Sequence, residues 1–71
     1  MIRPGDLGPD AYDRGFEAGL AEAMKRFRMG DADHADDGPT WFVAPVGENA
    51  GGYYERGFLA GFARFFEGPE Q

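Results

Sequence analysis

The chain has 71 residues, no cysteine, and 13 acidic against 7 basic side chains, for a formal net charge of −6. Such a length makes one domain at most, with a small core and no disulfide or thiolate–metal link to reinforce it. No run of about 18 apolar residues occurs, which excludes a membrane-spanning helix in the sequence. The opening Met1-Ile2-Arg3-Pro4-Gly5-Asp6 lacks the apolar stretch of a signal peptide, so the cytoplasm is the expected location.

Leu, Ile, Val and Phe contribute only 13 residues, but 7 of these are Phe, and 3 Tyr and 1 Trp join them. Large rings bury much area each, so a compact core is feasible and a fully disordered chain is not expected. The charge is uneven. Residues 1–30 balance five acids against five bases, whereas residues 31–71 hold eight acids against Arg56 and Arg64 alone. No Lys or Arg stands between Met29 and Glu55. A surface of that kind disfavours direct binding to phosphates, which need cations, and favours a basic protein surface.

In chain order, the first element is a helix over about residues 10–29. Asp10 is its expected cap, with Asp13 as a capping-box-like partner. Its apolar stripe is Tyr12, Phe16, Leu20, Ala23, Met24 and Phe27, at helical spacing. Lys25, Arg26 and Arg28 suit the negative end of the helix dipole, and Gly30 is the expected stop. Residues 30–39 read as an acidic loop. Thr40-Trp41-Phe42-Val43-Ala44-Pro45-Val46 reads as a short β segment, rich in β-formers and broken by Pro45. One strand cannot satisfy its own backbone, so it would pair with Met1-Ile2-Arg3, a second chain or a target. A second helix is expected over about residues 50–67, capped by Asn49 and ended by Gly68-Pro69.

The two helices carry one unit twice. Tyr12-Asp13-Arg14-Gly15-Phe16-Glu17-Ala18-Gly19-Leu20-Ala21 recurs as Tyr54-Glu55-Arg56-Gly57-Phe58-Leu59-Ala60-Gly61-Phe62-Ala63, and seven of ten positions are identical. Only Glu17/Leu59 changes character. Each interior glycine costs about 1 kcal/mol relative to Ala, so Gly15, Gly19, Gly57 and Gly61 together cost about 4. Close backbone approach, where a Cβ would collide, is the physical reason to keep them. The helix-packing set is therefore Gly15, Phe16, Gly19, Gly57, Phe58 and Gly61. The charged residues at every turn reject the membrane version of this spacing. A flat face for a ligand is the functional alternative. Arg14 and Arg56 recur as well, either as an anion-binding pair or as ion pairs with Asp10, Glu17 or Glu55. The fold class that follows is mainly α, with small α+β as the variant: two antiparallel, pseudo-equivalent helices joined by the acidic loop and the β segment, in a single domain over residues 1–71.

Catalytic constellations are missing. The chain has no Ser or Cys, and one Thr, one His and one Lys, so no nucleophile–base set can be assembled beyond a lone Lys25. A phosphate loop and a tetrahedral zinc set are absent too. The dense polar group is Asp31, Asp33, Asp36 and Asp37 around His34. Read as a calcium loop from Asp31, it puts Ala35 at the fifth position and Asp36 where Gly is required, so the template fails. Paired-carboxylate catalysis lacks a cleft to shift the pKa values. The two leading readings are a solvated linker, or an anionic patch presented to a basic partner, with a metal-binding domain third. The patch adjoins Trp41-Phe42-Val43, and acid beside aromatic suits protein binding, with the ring as anchor and the charges as steering. Trp41 serves the core equally well.

The Tyr-x-Arg-Gly-Phe-x-Ala-Gly units look like those of small proteins from bacterial and phage genomes. In size, acidity and lack of a catalytic set, the chain resembles phage-encoded inhibitors, among them anti-CRISPR proteins that imitate DNA. That resemblance, one of type, implies carboxylates standing in for phosphates on a basic channel of a Cas protein. The expectation is thus a non-enzymatic binding protein with no cofactor and no metal. It would occupy a basic, nucleic-acid-binding surface through Asp31, Asp33, Asp36, Asp37, Glu48 and Glu55, with Trp41 as anchor. The alternative is a homo-oligomerisation module, a possible homodimer, whose acidic face only keeps it soluble.

Overall fold

Both copies of the repeat are helical. The computed structural model of the chain describes residues 9–48 and 52–68. In it, α1 spans Pro9–Met29, a 3-10 turn covers Ala35–Asp37, the short α2 covers Gly38–Trp41 and α3 spans Tyr53–Glu67. Pro9 suits the first turn, where a missing N–H costs nothing. Asp10 lies inside that turn rather than capping it. The cap of α3 is Gly52, later than expected, and Asn49 lies outside the described residues. Gly30 ends α1 at φ 79°, donating its N–H to the Phe27 carbonyl at 3.1 Å while Asp31 N–H bonds Arg26 O at 2.8 Å. That is a Schellman arrangement. Gly68 ends α3 at φ 76° with a single bond to Arg64 O at 2.8 Å.

The helices pack parallel, which corrects the antiparallel expectation. A Cβ built on Gly15 would run into the Tyr54 carbonyl oxygen, and one on Gly19 into that of Phe58. Gly57 meets Tyr12 O and Gly61 meets Phe16 O in the same way. Contacts advance in one sense along both helices, and Phe27 near the end of α1 touches Phe65 and Phe66 near the end of α3. The physical reason lies in the connection. An antiparallel pair needs only a few linking residues, whereas the stretch from Gly30 to Gly52 is long enough to return the chain along α1. Parallel, in-register pairing then lets each glycine abut the carbonyl of the other copy. The pair has pseudo-twofold symmetry, with each residue of one unit meeting the counterpart of its own contact.

Each glycine aims an α-hydrogen at a carbonyl across the crossing. Such Cα–H···O contacts return about 0.5–1 kcal/mol apiece. Four of them give about 2–4 kcal/mol, which offsets most of the helix-propensity cost of the glycines.

No strand occurs among the described residues, so the β segment over 40–46 is also corrected. Pro39 falls at the start of α2, where proline is favoured, and this draws Thr40 and Trp41 into a helical turn. Phe42 is extended (φ −74°, ψ 128°). Its ring lies 5.2 Å from Phe58 and 6.2 Å from Tyr54, centroid to centroid. The rings of this stretch serve packing onto α3 rather than strand pairing, while Val43 and Val46 stay exposed. Residues 30–48 form a crossover along one face of the helix pair: Ala32 joins the core, Gly38 sits on Leu59 and Phe62, and Phe42 sits on Phe58 and Tyr54.

The core is correspondingly one-sided. Ala23, Ala32, Phe58 and Phe62 form its buried centre, with Ala18, Trp41, Phe42, Leu59, Phe65 and Phe66 packed around it. The single unlike pair of the repeat now has a cause. Leu59 lies under Gly38 of the crossover, whereas its counterpart Glu17 is exposed.

Ala is a better helix former than Gly, so Gly15→Ala, Gly19→Ala, Gly57→Ala and Gly61→Ala would each stabilise a solvent-facing helix by about 1 kcal/mol. Here each should instead destabilise by about 1–3 kcal/mol, because the added methyl meets main chain that moves only with the whole helix. Thermal melts followed by circular dichroism check this; a raised melting temperature in any of the four would remove that glycine from the crossing.

Candidate partner-binding surface

The crossover carries the acidic side chains, and internal contacts divide them into two groups. Glu48 is committed. It accepts from Arg14 Nε at 2.8 Å and Arg14 Nη2 at 3.1 Å, a two-point pair that ties the end of the crossover to α1. Arg14 thus makes an intramolecular ion pair, but with Glu48 rather than with Asp10, Glu17 or Glu55. Asp31 lies 3.4 Å from Arg26 Nη1, and Arg26 Nε also donates to Glu22. The Glu22 hydrogen bond, helped by Asp31 and opposed by desolvation, raises the Arg26 pKa above its ordinary value.

Asp37 is turned inward to the main chain, accepting from the Asp33 amide at 3.1 Å. His34 caps the 3-10 turn, its Nδ1 accepting from the Asp36 amide at 3.0 Å. The Asp36 carboxylate stands 3.6 Å from the same nitrogen and is 91% exposed. The Asp33 side chain is exposed and has no ion pair among the described residues. Glu55 is half-buried in the first turn of α3. Of the expected set, Asp33 and Asp36 therefore face solvent with no arginine partner among the described residues. Asp31, Asp37 and Glu48 are largely spent on holding the crossover, and Glu55 stands apart.

Trp41 is half-buried and takes the core role of the two foreseen for it. It packs against the core cluster, and the Arg26 guanidinium lies over its ring, 4.0 Å from the centroid. Arg26 is the residue that sequence reasoning missed. It joins α1, Asp31 and Trp41 in one stack, and the only signal for it was its place in the last turn of α1. Phe42 was likewise read as strand rather than as the contact that closes the core.

Among the described residues, no three His, Asp or Glu side chains converge in a way that could hold a metal ion. No helix there is long and apolar enough to cross a membrane. Comparison with protein-family models, curated proteins and solved structures finds no match to the chain.

The Tyr54 phenol sits where the crossover meets α3, and it is 6% exposed. Burial raises its pKa above 10.0, Glu48 raises it further, and Arg14 opposes both. The fold thus favours the neutral phenol. The resulting stability is complete below the unfolded value near 10.0 and is lost as pH climbs from there through the raised folded value. Tyr54→Phe should leave the melting temperature nearly unchanged at pH 7 and flatten its fall in that alkaline window. An equally steep alkaline loss in the variant would assign the sensitivity to other groups.

Proposed function

We propose that the chain is a non-enzymatic binding module that sets its acidic crossover against a basic surface of another protein, of the kind that otherwise holds nucleic acid. The observation that carries this reading is that Asp33 and Asp36 are both exposed and pair with no Lys or Arg among the described residues, in a segment that has none between Met29 and Glu55. Glu48 and Asp31 pair with Arg14 and Arg26, so those two cations are engaged elsewhere than at Asp33 and Asp36. The missing nucleophile–base set supports a binding role over a catalytic one. The homo-oligomerisation alternative would use a helix face other than the glycine stripes, which meet each other within one chain.

The test starts from capture of basic proteins from a host lysate at low and high salt, followed by competition between this chain and nucleic acid for each captured protein. Asp33→Asn with Asp36→Asn should weaken a genuine complex by about tenfold at low salt, or about 1.4 kcal/mol, and should make its salt dependence shallower. The melting temperature should barely move, since solvated charges add little to stability. An unchanged affinity and salt slope, or a complex that leaves nucleic-acid binding intact, would remove the mimicry reading.

A further inference from the structure

The pseudo-twofold axis lies between two parallel helices, so it carries one face of the pair onto the opposite face. Equivalent residues of the repeat therefore look in opposite directions. Tyr54, Phe58 and Phe62 lie under the crossover at 6%, 4% and 0% exposure. Their counterparts Tyr12, Phe16 and Leu20 are only half-buried on the other side. There the Tyr12 and Phe16 rings stack at 6.4 Å, and a concavity is lined by Phe16, Leu20, Arg64, Phe65 and Gly68. Nothing among the described residues plays the part on this face that the crossover plays on the first.

The covered face records what such a surface accepts. The crossover runs opposite to both helices, Gly38 against Phe62, then Phe42 against Phe58 and Tyr54, then Glu48 on Arg14. Several receiving groups recur on the open face: Phe16 and Tyr12 for the two rings that hold Phe42, Ala60 for Ala18, Arg56 for Arg14. Arg56 is exposed, 5.4 Å over the Tyr53 ring, and pairs with no carboxylate among the described residues. Four positions depart: Glu17 stands for Leu59, Leu20 for Phe62, Gly68 for Arg26 and Arg64 for Glu22, the last giving the α3 side of the open groove two arginines.

We propose that this open face is a docking groove for an extended segment of a partner protein that carries paired aromatic residues followed by a carboxylate. The segment runs antiparallel to α1 and α3. Its rings lie on Tyr12, Phe16 and Leu20, and its acid reaches Arg56, with Arg64 available to a second one. A second copy of this chain is the weaker occupant, because its own matching segment is already seated against its own helices. The groove lies opposite the acidic crossover, so its failure and that of the proposed function are separable.

The probe is a synthetic peptide of residues 38–48, titrated into the full chain and followed by fluorescence anisotropy and amide chemical shifts. Saturable binding is expected, with shifts centred on Tyr12, Phe16, Leu20 and Ala60. Arg56→Glu should weaken it by at least about tenfold, and a peptide with Lys in place of Glu48 should recover binding to that variant, which a merely unfolded protein would not allow. Absence of saturation, or shifts centred on Tyr54 and Phe58 through exchange with the chain's own crossover, would overturn the proposal. So would a concentration-dependent dimer that Arg56→Glu abolishes while the peptide does not bind, since the face would then belong to a second copy.

Discussion

The structure depends on main chain meeting main chain. At Gly15, Gly19, Gly57 and Gly61 the helices come so close that a carbonyl of the other copy occupies the place of a Cβ. Dispersion and Cα–H···O contacts grow at this separation, and the side chains next to each glycine are pushed outward onto the two faces of the pair. The small core, the one-sided burial and the position of the crossover all follow. A looser crossing would put rings between the helices and leave no flat layer for the crossover to cover.

A repeat is economical here for a geometric reason. Two parallel helices related by a twofold axis make each contact twice, so one successful unit supplies both sides. The cost is that the apolar stripes end up back to back. A chain of this length can cover one of them with its own connection, and it covers that of the second copy. Leu59 in place of Glu17 is the mark that covering leaves in the sequence.

Parallel packing also aligns two helix dipoles side by side, which is unfavourable. The last turns carry Arg26, Arg28 and Arg64 at the negative ends. Arg26 links these effects, since it stands near the end of α1, holds Asp31 at the start of the crossover and lies over Trp41. Acidic residues that looked equivalent along the chain thereby acquire different roles. Asp31 and Glu48 fasten the crossover at its two ends, Asp37 braces the turn, and Asp33 and Asp36 remain for solvent or a partner.

The sequence by itself determined the two helices and their C-terminal stops, because apolar period and a glycine at the C′ position are local properties. It also determined that the glycines face a close contact, since a repeated, costly residue beside an apolar stripe has few other uses. Helix direction was not legible, because parallel and antiparallel crossings bury the same stripe and only the path of the connection chooses between them. The segment over Thr40 to Val46 looked like a strand because β-formers and core-filling rings are the same residues; contact with Phe58 and Tyr54 decided which role they took. The division of the acids was settled by where Arg14 and Arg26 came to lie. Those positions are set by a helix crossing and a long return path, and no local window of sequence contains either.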